Sequence, residues 1–430
     1  MKRKLVTIRQ PTPTFEIWVF VLLVSTLLAS AFSLATTSYP IQSSGKINVM
    51  SPLHVDGKYI KDSDGDIIYL RGVGKIHWDD DPTGWWWPEG GAWSQNYLTW
   101  DENAVRYHLR QMKSFGMNVV RFHTIAEWWI QDTVTVGSYT GSYRNNLKRT
   151  FQIAQEERMY VIMDLFAVKS GTWMYANGYG PPSIPFPPYL NYPEETAIFS
   201  NKQSFVDYWA NVASELKSYD NVIFELYNEP NSFDLNGQTM EVARADWFDG
   251  MQKAIDAIRA VGAQNLIIVM WELGVIPALP YTYMDWIAQA SLNDTTGNLA
   301  YSGHLYRTYY NPSWYDAYNY TSCYSKMEQC KFKYVLDSLS KPVIISEIGI
   351  NMWSDNSITD SSGLTELQKE LQWARNVFRI CNQWGIGYVA WDWTITDTWH
   401  LISLSGLPKP SEWGQVLIDA IADGGTIASP

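Results

Sequence analysis

From residue 53 onward, short runs of apolar, often β-branched residues alternate with longer stretches whose apolar positions recur every three or four residues. The runs are Tyr69–Val73, Asn118–Arg121, Tyr160–Leu165, Val222–Tyr227, Leu266–Met270, Leu299–Ser302, Val343–Ser346 and Gly387–Ala390. Nearly continuous apolar character over so short a length predicts strands covered on both faces. The stretches between them predict helices over Asn103–Phe115, Tyr143–Arg158, Lys202–Tyr219, Val242–Val261 and Glu366–Trp384. Thr99-x-x-Glu102 and Thr365-x-x-Gln368 read as capping boxes, and Gly116 as a helix stop. Strand alternating with helix implies a parallel sheet, and eight such units predict an α/β fold, a closed (β/α)8 TIM barrel. Ahead of it, "LHVDGKYIKDSDGDIIYLRGV" predicts a short β-hairpin turning at Asp64-Gly65. Asp62, Asp64 and Asp66 superficially suggest a calcium loop, but the Gly falls at 65 and the twelfth position has no Glu.

The N-terminus follows a different pattern. Lys2, Arg3, Lys4 and Arg9 precede an uncharged stretch from Ile17 to Ala35 that ends in small residues. Residues 1–35 are therefore expected to be a secretory signal peptide or an uncleaved N-terminal membrane anchor. Either leaves residues 46–425, the expected barrel domain, secreted or tethered on the outer face of the membrane. Lys+Arg 32 against Asp+Glu 44 gives a net charge of −12 with no basic stripe, which argues against a nucleic-acid partner. Hydrophobic content of 46% with 18% charged residues excludes a disordered chain. Cys323 and Cys330 lie close enough in sequence to close a short loop, whereas Cys381 sits in a helical pattern and reads as a buried thiol. The scattered histidines and the absence of C-x-x-C or H-E-x-x-H imply no metal and no cofactor.

A plain barrel needs about 250 residues, so the surplus is expected in long loops on the C-terminal face, where barrel enzymes carry their sites. Trp78–Trp100 and Lys169–Tyr192, after the first and third strands, are rich in aromatic, Pro and Gly residues. With 22 Trp and 27 Tyr in the chain, some of these rings are expected to stack on sugar faces and the rest to pack against the rim. Two carboxylates sit at strand ends. The fourth run ends "VIFELYNEPN", with Asn228 and Glu229 at its mouth, and the seventh ends "PVIISEIGI", with Glu347. Strands four and seven of eight face each other across the opening. Paired carboxyls about 5–5.5 Å apart are what a retaining glycosidase requires, one as nucleophile and one as acid/base.

Nearly the whole chain after residue 35 resembles glycoside hydrolase family 5, the cellulase family of barrel enzymes, with the strand-borne "NEP" as its most specific motif. The resemblance implies Glu229 as acid/base and Glu347 as nucleophile. It implies that Arg121, in "NVVRFH", holds the nucleophile charged, and that Asn228 contacts the 2-hydroxyl of the sugar being cleaved. His304 and Tyr306, in "SGHLY", would orient the carboxyls, and Trp391, in "YVAWDW", would lie beneath that sugar. An interior ion pair of Arg121 with Glu225 is the alternative for that arginine, and Trp393 shares strand parity with Trp391. The chain departs from the family in "VIMDLFAVKSG", where Phe166 stands at a position usually held by His. His123, on the same strand face as Arg121, is expected to occupy the space. The implied activity is endo-acting hydrolysis of a β-1,4-linked glucan, with β-glucan poly- or oligosaccharide as partner. The alternatives are a β-mannanase or other β-glycanase of the same fold, or a barrel that only binds glycan.

Overall fold

The computed structural model describes residues 50–75, 100–136, 139–168, 202–228, 240–270, 292–307, 316–394, 400–405 and 407–427. The stretch expected to be a signal or anchor lies outside them, as do Glu229 and nearly all of the two aromatic loops. In chain order the described elements begin with β1 (His54–Asp56), β2 (Tyr59–Lys61), β3 (Arg71–Lys75), α1 (Glu102–Ser114), β4 (Val119–Ile125), α2 (Ala126–Gln131), β5 (Thr133–Val136) and β6 (Tyr139–Ser142). Then come α3 (Tyr143–Glu156), β7 (Tyr160–Ala167), α4 (Lys202–Leu216), β8 (Val222–Glu225), α5 (Met240–Ala260), β9 (Ile267–Met270) and β10 (Leu299–Tyr306). The last are α6 (Tyr320–Gln329), α7 (Phe332–Asp337), β11 (Val343–Gly349), α8 (Glu366–Trp384), β12 (Gly387–Ala390), β13 (Ile402–Ser405), β14 (Leu407–Pro410) and α9 (Glu412–Ile427).

Strands β3, β4, β7, β8, β9, β10, β11 and β12 close into a barrel in sequence order. Every seam is parallel. Alternation along each strand sends one residue set outward under the helices and the other into the barrel. The inward set is layered. Its floor is Val119, Ile162, Ile223, Ile268, Ala300, Ile344 and Val389, sealed from below by Leu53 and Ile60 of the N-terminal segment. Two residues further along their strands, Arg121, Asp164, Glu225 and Ser302 form a buried polar layer. The mouth lies above that.

Local chemistry moves several boundaries. The cap of α1 is Asp101, not Thr99: its carboxylate accepts from the amides of Asn103 (2.7 Å) and Ala104 (3.1 Å). Gly116, at φ +87°, ends that helix as expected. Thr365 and Gln368 form the reciprocal box at the start of α8, with bonds of 3.2 and 2.9 Å. The hairpin is present, but β1 and β2 turn at Gly57, at φ +59°. Asp64-Gly65 instead turns the chain back to a lone bridge between Lys61 and Ile67. There Asp62 accepts from the amides of Asp64 and Asp66, so its carboxylate serves the turn. All three cysteines are free and buried. Cys323 lies in α6 and Cys330 ends it. Seven helical steps of about 1.5 Å separate their Cα atoms by ~10 Å, too far for the loop-closing disulfide.

Candidate active site

The polar layer is organised by Arg121, fully buried on β4. Its Nε donates to Glu225 Oε2 at 2.5 Å, Nη1 to Glu347 Oε1 at 2.6 Å and Nη2 to Asn228 Oδ1 at 2.9 Å. Asp164 Oδ2 stands 3.1 Å from Nη2. The two readings of Arg121 therefore hold together: it pairs with Glu225 and with Glu347. Glu225 is completed by the Ser302 hydroxyl at 2.8 Å. Burial alone would raise the Glu225 carboxyl, but the Arg121 guanidinium outweighs it and holds it below the usual carboxylate range.

Glu347 is nearly buried at the C-terminal end of β11. Strict alternation from Ile344, which faces inward, would put Ser346 inside and Glu347 outside. A bulge reverses this: β10 and β11 pair Gly303 with Ile345, then His304 with Glu347, skipping Ser346. Glu347 turns inward and Ile348 outward into the layer under the helices. The Tyr306 hydroxyl donates to Glu347 Oε2. His304 Nδ1 lies 3.3 Å from the same oxygen, and its Nε2 lies 3.2 Å from Ser346 Oγ. Burial, with Arg121 adding to it and Glu347 opposing, pushes the His304 imidazole down to about 4. Just beyond Tyr306, buried Arg307 bonds Glu370 of α8 at 3.0 Å and so ties the end of β10 to that helix.

Asn228 follows β8, its backbone amide donating to Leu165 O at 2.9 Å. With Oδ1 engaged by Arg121, its amide NH2 is the group left to donate. Trp391 lies on Gly74, where a Cβ would stand 2.6 Å from the indole. Trp393 takes no part: its indole donates to His108 Nδ1 of α1 at 3.0 Å. Of the ring-rich loops, Trp100 is described, and it bonds Thr150 of α3 at 3.1 Å, a packing role.

His123 lies inside, as expected, but the Phe166 position is not vacant. The two rings pack against each other with centroids 3.9 Å apart, and Trp391 flanks His123 at 4.7 Å. Sequence reasoning missed Asp164, Ser302 and Ser346. Asp164 had a readable signal, a carboxylate inside the apolar run "YVIMDLFA" with the parity of Phe166. Among the described residues no cluster of His, Cys, Asp or Glu is placed to hold a metal ion.

A buried carboxylate held by a guanidinium and a phenol at the C-terminal mouth of a barrel is an arrangement suited to nucleophilic catalysis. Comparison with known proteins agrees in kind. The family model for cellulase (glycosyl hydrolase family 5) matches residues 80–397. Endoglucanase gh5-1 of Neurospora crassa is 26% identical over 178 residues, 41% of this chain. The matched part spans 36% of that relative's length. The native beta-glucanase SdGluc5_26A of Saccharophagus degradans superposes with a TM-score of 0.60 at 18% identity, covering 90% of this chain and 98% of that one. A cellotetraose complex of the endocellulase from Pyrococcus horikoshii gives 0.58 at 16% identity, covering 88% and 99%. These likenesses under 25% identity show the shared barrel. With the family model matching most of the chain, the protein belongs to glycosyl hydrolase family 5, the cellulases.

Proposed function

We propose that the protein hydrolyses β-1,4-linked glucan by double displacement, with Glu347 as nucleophile and Glu229 as acid/base. The observation that carries this reading is the Glu347 carboxylate, whose bonds from Arg121 and Tyr306 both favour the charged form. In the first step a Glu347 oxygen attacks the anomeric carbon as the bond to the leaving sugar breaks. Glu229 gives its proton to the leaving oxygen, and a glycosyl ester forms. Water then attacks the same carbon, Glu229 takes its proton, and the ester bond breaks to restore Glu347. Asn228, its oxygen fixed by Arg121, would donate to the sugar 2-hydroxyl, and Trp391 would lie against the ring. Related barrels crystallised with cellotetraose support a glucan as substrate. The basic N-terminus and the uncharged run to Ala35 support action outside the cell, after signal cleavage or from an anchor.

The test is release of reducing ends from soluble cellulose, mixed-linkage glucan, mannan, xylan and xyloglucan, with Glu229→Gln and Glu347→Gln alongside. Internal cutting of a β-1,4-glucan is expected, with each variant about 1,000-fold slower, roughly 4 kcal/mol of barrier. Cutting of mannan alone would replace the substrate and keep the mechanism. Binding of glucan by a folded protein that cuts nothing would overturn the hydrolase reading.

A further inference from the structure

The two ring nitrogens of His123 have different surroundings. Nδ1 lies 2.6 Å from Asp164 Oδ2, on the neighbouring strand and in direct register. An ionised carboxylate only accepts, so Nδ1 carries the hydrogen of the neutral ring and Nε2 presents a lone pair. Burial and, after it, the charge of Arg121 hold the imidazole well below its usual range, which keeps it neutral. Nε2 is buried with no hydrogen-bond partner among the described residues and lies 3.6 Å from Glu347 Oε1. Two acceptors side by side do not bond each other, yet one donor placed above can serve both. The ring is wedged between Phe166 and Trp391, which opposes rotation of Nε2 away from that place. Phe166 itself brings no polar atom to this wall.

We infer that His123 Nε2 accepts a hydrogen bond from a hydroxyl of the sugar ring bound against Glu347, and that Asp164 is the positioning residue that fixes the imidazole tautomer for it. The inference rests on the proposed glycan hydrolysis. It adds a substrate contact and a dyad, both on the wall where Phe166 replaces a histidine. Asp164→Leu removes the acceptor, so the ring proton is free to move to Nε2 and the lone pair there is lost. Asp164→Asn would not test this, because its amide oxygen, facing Arg121 Nη2, still accepts from Nδ1.

The experiment uses the full chain with an aryl β-cellobioside and its monodeoxy analogues in the reacting ring. It compares wild type with His123→Leu, His123→Gln and Asp164→Leu, and reads tautomers by NMR of 15N-histidine-labelled protein. His123→Leu is expected to lower kcat/KM about 10- to 100-fold, the loss of one well-placed hydrogen bond. One deoxy analogue should lose a similar factor with wild type and little more with His123→Leu. His123→Gln, whose amide oxygen reaches the Nε2 position, should recover most of the rate. Asp164→Leu should release the tautomer and lower the rate together. Losses from deoxygenation and from His123→Leu that simply multiply would overturn the inference, as would a wild-type ring protonated at Nε2. Should His123→Leu not fold, His123→Gln and Asp164→Leu decide by the same criteria. If wild type cleaves no glycan, the hydrolase reading fails separately. Cellotetraose binding then decides: weakening by His123→Leu or Asp164→Leu supports the contact, and an unchanged Kd overturns it.

Discussion

Replacing Arg121 by Met takes away the guanidinium shared by Asp164, Glu225 and Glu347 while roughly conserving volume. Removing one partner of a buried ion pair costs about 3–5 kcal/mol, because the abandoned charge stays in a poorly polarisable interior. Buried carboxylates in that position take up protons instead. In the wild type, Glu225 is held below its ordinary 4.5. Its contribution to stability is thus complete above pH 4.5 and lost as pH falls through the folded-state value. In the variant, burial is opposed chiefly by the Ser302 hydroxyl bond, and the folded-state value rises above 4.5. The penalty is then complete near neutrality and relieved as pH falls toward 4.5. The stability gap between the two proteins should therefore shrink on acidification, by about 1.4 kcal/mol per pH unit for each carboxylate that protonates. Urea unfolding at intervals between about pH 7.5 and 4.5 measures the gap. A gap of about 3–5 kcal/mol near pH 7 that falls by half or more toward pH 5 is expected. A gap that is constant with pH, or that widens in acid, would refute the idea that the guanidinium neutralises these groups.

Tyr306→Phe removes one donor to Glu347 and should lower kcat/KM on β-glucan about 10- to 100-fold, with the melting temperature nearly unchanged; a loss under about threefold would deny the phenol its role. Gly74→Ala places a methyl group 2.6 Å from the Trp391 indole and should cost about 1–3 kcal/mol and raise KM, measured by unfolding and steady-state kinetics. Burial pushes the Cys323 thiol up to about 12 and the Cys330 and Cys381 thiols further in the same direction. None should react with a thiol reagent in the native protein, and all three should react in denaturant without reductant. A count of one in denaturant would mean that Cys323 and Cys330 are bridged after all.

The barrel was legible because each strand announces itself as a short apolar run, and the helices between them leave a parallel sheet as the arrangement that buries both faces. Arg121 and Glu225 were legible from parity, because β4 and β8 keep regular alternation through them, whereas Asn228, of opposite parity to Glu225 and beyond the end of β8, was placed by the strand-end motif. Glu347 was located correctly by its motif, but alternation alone would have turned it outward; the bulge that skips Ser346 is set by pairing with β10, which no local pattern encodes. Asp164 was overlooked for a related reason. Its meaning depends on lying beside His123 in the register of β4 and β7, a relation between distant segments. At α1 the cap expected at Thr99 falls instead to Asp101, whose carboxylate reaches two free amides at once. The cysteine spacing misled because a short separation along the chain becomes a long one once the segment is helical.

The apolar floor beneath Arg121 has a consequence for the site's electric field. With Leu53 and Ile60 closing the barrel from below, solvent does not approach the buried charges from that side. Their field is therefore not screened downward and is directed toward the mouth, as low-dielectric walls focus it. One guanidinium set against three carboxylates leaves that field negative when all are ionised. In the proposed hydrolysis, a sugar whose anomeric carbon gains positive charge as its bond breaks would meet a potential already oriented to receive it, and a ring that covers the mouth would strengthen it by excluding water. The hairpin at the far end of the barrel thereby belongs to the electrostatics of the site it never touches.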